Sequence, residues 1–424
     1  MPSLNSFVHL IPFLLCCLVM IATESAAESS SENPPAVKSG YYPPTDDFPP
    51  SAINTSFFTH VYYAFLVPSN VTFKFELSNE TTLLLSNFTT ALRHKNPPLK
   101  TLLSIGGGGG DKALSDIFAS MVSNPSSRSN FIDSAIEVAR KFGFDGLDLD
   151  WEYPESPKEM KALGHLLKQW RREIKKEAQA TNRPPLLLTA AVYFSAEFFL
   201  DPVIRTYPIK YMEKYLDWAN VMCFDYHGAW SNITGPNAPL FDPNSNVNSV
   251  YGLRSWINGG MSPSKLVMGL PLYGRTWELK DPKENGIGSI AIGPGLGGGA
   301  LGFNELEILN KVSSATVVYD ADTVSVYSFN GSSWIAFDDT CTTTSKIGFA
   351  QALGLRGFKV MDPLMNEEGG GLLGAQDSGV SRLQTHQVYQ FMNNKKDFTI
   401  SHKRQKQRQM QLHKSQTKNN DKHE

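Results

Sequence analysis

Short apolar runs alternate with longer segments of helical periodicity along most of this 424-residue chain. Eight of these runs have the length and the β-branched or aromatic composition of strands. They lie at residues 37–42, 59–66, 100–106, 144–151, 186–193, 220–226, 266–273 and 356–361. Some, such as LLLTAAVYF, are nearly continuously apolar, which is typical of parallel strands buried on both faces.

The segments between the runs predict helices, most clearly at residues 129–142, 158–180 and 346–355. Strands that alternate with helices pair in parallel, because each crossover returns the chain to the same end of the sheet. Right-handed crossovers over eight strands close such a sheet. The sequence therefore predicts an α/β fold, a (β/α)8 TIM barrel.

One connection, between residues 273 and 346, is far too long for a simple loop. It contains three strand-like runs (TVVYD, VSVYSF and SWIAF), a turn at Asn330 and Gly331, and a glycine-rich segment at 293–302. The glycines are not followed by the Lys-Ser/Thr pair of a phosphate-binding loop. We therefore predict a small α+β insertion domain after the seventh strand, at residues 274–340.

The most informative stretch is FDGLDLDWEYP, residues 144–154. Residues two apart share a face of a strand, so Asp148, Asp150 and Glu152 point one way and the intervening leucines and tryptophan point the other. In a barrel the apolar face would pack on the helices and the acids would face the interior. An unpaired buried charge is costly, so this row of acids requires a function that offsets the cost. Burial and adjacent carboxylates also predict a raised pKa for Glu152, as a proton donor near neutral pH requires.

Two other interpretations of the row compete with an acid/base site. The acids could form a solvated strand face, although the residues around them are apolar or small. They could instead bind a hard cation through oxygen ligands, although no further ligands are obvious. No metal-binding spacing of cysteine and histidine occurs in the chain. We therefore predict acid/base chemistry with neither a metal nor a cofactor.

The row resembles the DxxDxDxE signature of the family 18 glycoside hydrolases, and of plant class V chitinases in particular, through Asp145, Asp148, Asp150 and Glu152. The resemblance implies substrate-assisted catalysis, in which the acetamido oxygen of the sugar attacks its own anomeric carbon. Glu152 would protonate the leaving oxygen and then activate water, Asp150 would orient the acetamido group, and Asp148 and Asp150 would share a proton. The implied reaction is retaining hydrolysis of β-1,4-linked N-acetylglucosamine polymers or oligomers.

The resemblance extends to three further motifs. SIGG, ending at Gly107, resembles the SxGG motif, where small residues let backbone and sugar approach. MCFDYHG resembles the MxYD element, and on a strand at 220–226 its Met222, Phe224 and Tyr226 would share a face. PLYGRTW resembles the stretch whose arginine contacts bound sugar. The substrate-binding positions implied in this way are Asp145, Gly107, Met222, Phe224, Asp225, Tyr226, Tyr273, Arg275, Trp277 and Met361.

Two positions depart from the family pattern. Phe224 stands where the family usually has tyrosine, which removes one hydroxyl aimed at the intermediate, although Tyr226 could substitute in part. Met361 stands where chitinases usually have a tryptophan under the sugar, and methionine has no flat stacking face. We therefore predict weakened activity. One alternative is a chitooligosaccharide-binding lectin or receptor-type module with little or no turnover, against which the presence of all four acids argues. Another is an endo-acting enzyme with the same chemistry on a different N-acetylglucosamine glycan, such as an N-glycan core or a lipo-chitooligosaccharide.

The two ends of the chain predict an exported protein with a polar tail. An apolar run at 10–22, followed by small residues, predicts a secretory signal peptide at residues 1–27. The catalytic barrel is predicted at 28–376 and a basic, disordered tail at 377–424. We expect an extracellular or cell-wall location, with the vacuole as the alternative. Six glycosylation sequons fit this route: Asn54, Asn70, Asn79, Asn87, Asn232 and Asn330.

Composition limits the partners of the chain. A formal net charge of −2, with 19% charged residues, does not favour nucleic-acid binding. The N-terminal apolar run is too short to cross a bilayer comfortably, so no membrane span is predicted. We expect a monomer that binds chitin or N-acetyl-chitooligosaccharides. Once the signal is removed only Cys223 and Cys341 remain, and both one disulfide and two buried thiols are open.

Overall fold

The computed structural model of the protein describes residues 35–44, 48–108, 112–200 and 203–361, with the backbone alone at 199 and 200. Its strands are numbered along the chain: β1 (Val37–Tyr42), β2 (His60–Leu66), β3 (Lys100–Gly106), β4 (Gly146–Asp150), β5 (Leu187–Val192), β6 (Glu197–Leu200), β7 (Val203–Thr206), β8 (Trp218–Val221), β9 (Leu266–Pro271), β10 (Tyr273–Leu279), β11 (Ala291–Pro294), β12 (Ala300–Gly302), β13 (Thr316–Asp320), β14 (Ser325–Asn330), β15 (Ser333–Phe337) and β16 (Gly357–Met361). Strands β1–β5, β8, β9 and β16 close into a barrel of parallel pairs, which confirms the predicted (β/α)8 TIM barrel.

Eight α-helices occur among the described residues, and those between the barrel strands share one continuous apolar core with the strands. Their bounds are α1 (Asn79–Arg93), α2 (Lys112–Val122), α3 (Pro125–Phe142), α4 (Pro157–Thr181), α5 (Ile209–Tyr215), α6 (Ser249–Asn258), α7 (Phe303–Val312) and α8 (Thr340–Ala352). No helix in the described ranges is long and apolar enough to cross a membrane.

Local signals place α3 and hence the start of β4. The Asn124 side chain accepts a hydrogen bond from the backbone N–H of Ser127, and Pro125 stands at the first helical position. The helix ends at Gly143, whose φ of 77° lies in the left-handed region that suits glycine. This cap turns the chain directly into β4, the strand that carries the acid row.

Two strand predictions were wrong in their limits. The run predicted at 220–226 forms a strand only over Trp218–Val221, and the chain then turns, with Asp225 at a φ of 58°. The run predicted at 266–273 ends at Pro271, because Tyr273 already begins β10 outside the barrel. The predicted helix at 346–355 begins earlier, at Thr340, where the side chain of Asp339 caps it.

The long connection forms a separate sheet, as the predicted α+β insertion requires. Strands β10–β15 and helix α7 belong to it, with strand order β11-β10-β15-β14-β13 and β12 paired to β10. The sheet is antiparallel, and β13, β14 and β15 follow one another as a meander. Because it begins at Tyr273, two residues after the end of β9, its first strand continues directly from the barrel.

Several predictions concern segments outside the described residues: the signal peptide at 1–27, the end of the barrel domain after 361, and the tail at 377–424. Cys223 and Cys341 are not joined by a disulfide, so the first of the two alternatives for them was wrong. Cys223 is buried and Cys341 is half-buried.

Candidate active site

The acid row lies inside the barrel, and its apolar neighbours face the helices. Asp148 and Asp150 have no exposed surface, while Glu152, just past the end of β4, is half-buried. Trp151 points outward, where its Nε1 donates to the Ser115 hydroxyl of α2 at 2.9 Å. The alternating pattern therefore has the orientation predicted for it, with carboxylates toward the axis and apolar side chains toward the helices.

Asp148 is held by side chains from strands all around the barrel. The Ser104 hydroxyl of β3 donates to it at 2.8 Å and the Asn220 amide of β8 at 3.1 Å. The hydroxyl of Thr189 on β5 also donates, and the hydroxyl of Tyr41 on β1 lies at 3.4 Å. So many donors converging on one carboxyl group fix its orientation.

Asp150 stands one step nearer the mouth of the barrel and has fewer partners. Its Oδ2 accepts from the Tyr41 hydroxyl at 3.0 Å, whereas its buried Oδ1 has no partner of hydrogen-bond geometry among the described residues. Burial and the charge of Asp148 raise the pKa of Asp150 to about 6, and the nearby Lys359 opposes that rise. Asp150 can therefore change its protonation state near pH 6.

Glu152 has the properties of a proton donor. Burial raises its pKa well above the ordinary value, and the carboxylate of Asp150 adds to this effect, followed by that of Asp225. A glutamic acid that keeps its proton near neutral pH can transfer it to a leaving oxygen. Its half-buried position at the C-terminal end of β4 is where barrel enzymes place reacting groups.

Glycines after β3 allow the chain to pass close to the acids. The N–H of Gly107, at a φ of 101°, donates to the carbonyl oxygen of Asp150 at 3.0 Å. A Cβ on Gly106 would lie 2.0 Å from that same oxygen, and a Cβ on Gly108 would lie 2.3 Å from Oε1 of Glu152. These glycines therefore allow the backbone after β3 to lie close to Asp150 and Glu152. The sequence alone predicted that they would allow a sugar to approach the backbone.

The wall opposite the acids is apolar at its base and charged at its rim. Met222, Phe224 and Tyr273 form one buried cluster, against which the half-buried Met361 packs. Phe224 therefore contributes to this wall an aromatic ring without a hydroxyl. Phe224 also fills the space beside Gly269, where a Cβ would lie 2.7 Å from its ring.

Asp225 and Arg275 form the charged rim. Nε of Arg275 lies 2.7 Å from Oδ1 of Asp225, and both side chains are partly exposed. The guanidinium also lies 5.1 Å from the ring centre of Trp230 and 5.3 Å from that of Tyr273. Trp230 is 63% exposed, so this rim offers both polar groups and a flat aromatic face to a ligand.

Three predicted substrate-binding residues lie elsewhere. Asp145 precedes β4 at the opposite end of the barrel, about 16 Å from Asp150 at 3.3 Å per residue, and accepts from the N–H of Thr101. Trp277 is fully buried in an apolar cluster of the insertion sheet, with its ring 5.3 Å from that of Trp334. The structure therefore places neither side chain beside the acid row, because sequence spacing does not indicate the end of a barrel or the side of a sheet.

Tyr226 is the third predicted substrate-binding residue that lies elsewhere. Since β8 ends at Val221, Tyr226 does not share a strand face with Phe224, and its hydroxyl lies 3.4 Å from that of Ser249 on α6. Its ring packs edge-on against Phe194. It therefore does not supply the hydroxyl that Phe224 lacks.

The structure also brings in residues that the sequence interpretation omitted. Tyr41 bridges Asp148 and Asp150 from a strand 107 positions away from the first of them, and nothing local marks it. Trp230 could have been found, because an aromatic residue in a polar, glycine-flanked segment is a signal for an exposed ring. Among the described residues, no group of three or more His, Cys, Asp and Glu side chains could hold a metal ion.

Comparison with known proteins adds to this geometry. Residues 37–361 match the sequence model of the family described as Glycosyl hydrolases family 18. The chain belongs to this family. It is therefore a glycoside hydrolase, and the resemblance to plant class V chitinases is confirmed by its relatives.

Two plant relatives and one crystal structure illustrate the likeness of this family 18 enzyme. It is 52% identical over 316 residues to Nod factor hydrolase protein 1 of Medicago truncatula, across 73% of this chain and 81% of that protein. It is 49% identical over 312 residues to a class V chitinase of the same plant, across 73% and 82%. A GH18 chitinase from Cycas revoluta, solved in complex with (GlcNAc)3, has a TM-score of 0.76 and 37% identity over 84% of this chain and all of that chain.

Proposed function

We propose that this family 18 enzyme hydrolyses β-1,4-linked N-acetylglucosamine oligomers with retention, by substrate-assisted catalysis. The observation that carries the proposal is the acid row: the half-buried Glu152 follows the C-terminal end of β4, two residues past the fully buried Asp150, and burial beside that carboxyl group raises the pKa of Glu152. The complex of the Cycas revoluta chitinase with an N-acetylglucosamine trimer and the class V chitinases among the relatives support this substrate class.

The geometry favours the substrate as its own nucleophile. A retaining enzyme of the two-carboxylate type needs a second carboxylate that reaches the anomeric carbon. Asp150 has no exposed surface and is hydrogen-bonded from below by Tyr41, so it cannot approach a sugar ring in that way. Its charge lies at the end of β4, two residues before Glu152, and can stabilise positive charge on an acetamido group held at the mouth of the barrel.

Glu152 would serve in both half-reactions. As the acid it gives its proton to the glycosidic oxygen, and the acetamido oxygen closes a ring on the anomeric carbon as the leaving group departs. As the base it then takes a proton from water, which opens that ring from the same face as the departed group. Two displacements at one carbon give retention.

The test compares Glu152→Gln with Glu155→Gln. The first removes the proton donor, so hydrolysis of an N-acetylglucosamine hexamer should fall by about 10²–10⁴-fold, the contribution of a general acid. Glu155 is a nearby exposed residue whose carboxylate pairs with Lys112, so its substitution should leave turnover unchanged. Products are followed by mass spectrometry, and their anomeric form at early times by proton NMR.

Several outcomes would contradict the proposal. Equal turnover by Glu152→Gln and the unmodified protein would remove Glu152 from the chemistry, and inverted products would exclude the substrate-assisted route. Calorimetric binding of the hexamer without cleavage by the unmodified protein would favour the lectin alternative instead.

We also propose that the protein is exported and glycosylated. All six asparagines in N-x-S/T sequons have exposed side chains, as glycan attachment requires. Removal of N-glycans from protein purified from plant secretions should lower its mass by steps of whole glycans. An unchanged mass would contradict the proposal.

A further inference from the structure

A lysine lies inside the barrel, beneath the catalytic groups. Lys359 occupies the middle of β16 and is only 3% exposed, although the strand around it is otherwise apolar. Its neighbours Phe358 and Val360 belong to the core that the helices cover, so Lys359 points to the opposite, inner face. A charged side chain at such a position is costly unless other groups compensate for its burial.

The compensating groups are two aromatic rings and the acid row. Nζ of Lys359 lies 3.4 Å from the ring centre of Tyr41 and 3.5 Å from that of Tyr62, so the ammonium sits between two π faces. It lies 3.6 Å from Oδ2 of Asp148, an ion pair longer than a hydrogen bond. No described residue offers Nζ a hydrogen-bond acceptor at closer range.

Every titratable group that faces Lys359 belongs to the site. Tyr41 comes from β1, Tyr62 from β2, and Asp148 and Asp150 from β4. On the remaining neighbouring strand, β9, the paired residue is Gly269, which has no side chain. Among the described residues, the surroundings of Lys359 therefore comprise this cation and two carboxyl groups, with Tyr41 in contact with all three.

We propose that Lys359 is a positioning residue for catalysis, whose ammonium keeps Asp148 as the anion and leaves the exchangeable proton of the row to Asp150 and Glu152. The inference rests on the proposed function for its catalytic consequence, but the charge distribution it describes stands on the geometry alone. It modifies the expectation that Asp148 and Asp150 share a proton, since Asp148 already has a positive partner.

The electrostatics agree with this assignment. Burial lowers the pKa of Lys359 to about 8, and the charges of Asp148 and Asp150 oppose the fall, so the ammonium is kept below that pH. The same charge lowers the pKa of Asp150 relative to what burial alone would produce. Removing the charge of Lys359 should make Asp150 harder to ionise. The Asp150 carboxylate, which would stabilise positive charge on the acetamido group, should then form only at higher pH.

The decisive experiment titrates the aspartate carboxyl carbons by ¹³C NMR in the unmodified protein and in Lys359→Met, which keeps the length of the side chain and removes its charge. The Asp150 signal, assigned by its loss in Asp150→Asn, should titrate about 1 pH unit higher in Lys359→Met, the lower end of the effect of a close opposite charge. The acidic limb of the pH dependence of kcat/KM for the N-acetylglucosamine hexamer should move to higher pH by the same amount. Lys359→Arg retains the charge and should restore the original limb.

A purely structural lysine would give a different result. Loss of packing would lower stability and kcat without moving either titration, and unmoved titrations would overturn the inference. If Lys359→Met does not fold, the unmodified protein still provides a test. The ¹³C chemical shift of the Asp148 carboxyl carbon should change as the neighbouring Lys359 titrates near pH 8. A chemical shift that stays constant above pH 7 would also overturn the inference.

The same data separate this inference from the proposed function. Hydrolysis by the unmodified protein with unmoved titrations refutes the role of Lys359 and leaves the function in place. If the Asp150 titration moves in Lys359→Met but the unmodified protein does not hydrolyse the hexamer, the charge distribution is supported and the proposed function is refuted.

Discussion

The acid row and the wall opposite it are held in different ways. Asp148 and Asp150 stand on a strand paired on both sides, and donors from four other barrel strands fix the first of them. Phe224, Arg275 and Trp230 stand on turns or on the insertion, where packing and one ion pair position them. Both departures from the family pattern, Phe224 and Met361, lie on this second wall.

This difference shows where the site can vary. A change on the acid side leaves several buried polar groups without partners at once, and each such group costs about 1–3 kcal/mol. A change on the opposite wall exchanges one apolar contact for another, and volume-conserving apolar exchanges usually cost less than about 1.5 kcal/mol. Chemistry is therefore built into the barrel, whereas contact with the sugar depends on side chains that can change more freely.

The largest effect is expected from a comparison of two tryptophans, one buried in the insertion and one exposed on the second wall. Trp277→Ala removes a fully buried ring from the insertion and should lower the free energy of unfolding by about 3–5 kcal/mol, measured by chemical denaturation. Trp230→Ala removes an exposed ring and should change that free energy by less than about 0.5 kcal/mol.

The affinity of the second variant completes the comparison. Trp230→Ala should bind the N-acetylglucosamine hexamer about fivefold to tenfold more weakly by calorimetry, because a flat face beside Arg275 is lost. Normal affinity together with normal stability would show that Trp230 lies outside the sugar-binding wall.

The next effect compares two aspartates of the signature. Asp150→Asn removes the charge that stabilises the reacting acetamido group and should lower kcat by about 10²–10³-fold. Asp145→Asn is the same change at the exposed, opposite end of β4, and it should leave kcat unchanged. Initial rates of hexamer cleavage measure both effects. A loss of kcat in Asp145→Asn comparable to that in Asp150→Asn would contradict the placement of the reacting groups at the C-terminal end of the barrel alone.

The smallest effect is expected at Met361. Met361→Trp would offer the sugar a stacking face, which is worth about 0.5–1.5 kcal/mol, so the Kd for the hexamer should fall by about twofold to tenfold. Met361→Leu controls for volume and should leave the Kd unchanged. An unaltered Kd in Met361→Trp would mean that β16 does not form the floor of this subsite.

Much of the barrel followed from local pattern. The limits predicted for β1 and β3 coincide with the observed Val37–Tyr42 and Lys100–Gly106, because uninterrupted apolar runs between turn residues have only one way to be buried. The errors occur where the chain leaves the barrel. After Val221 and Pro271 the apolar pattern continues, but the side chains are buried against other partners, and composition does not distinguish the two situations.

The alternation of acids and leucines in the amino-acid sequence was enough to specify β4 and a barrel interior that holds charge. The end of the barrel at which each signature residue lies depended on the folded chain, since Asp145, which precedes β4, and Asp150, which ends it, are the same residue type. Folding also brought Tyr41 and Lys359 to the acids from the first and last barrel strands, exposed Trp230 beside Arg275 and buried Trp277 in the insertion. Closing a barrel joins strands that are far apart in the chain, so these electrostatic partnerships have no local signature.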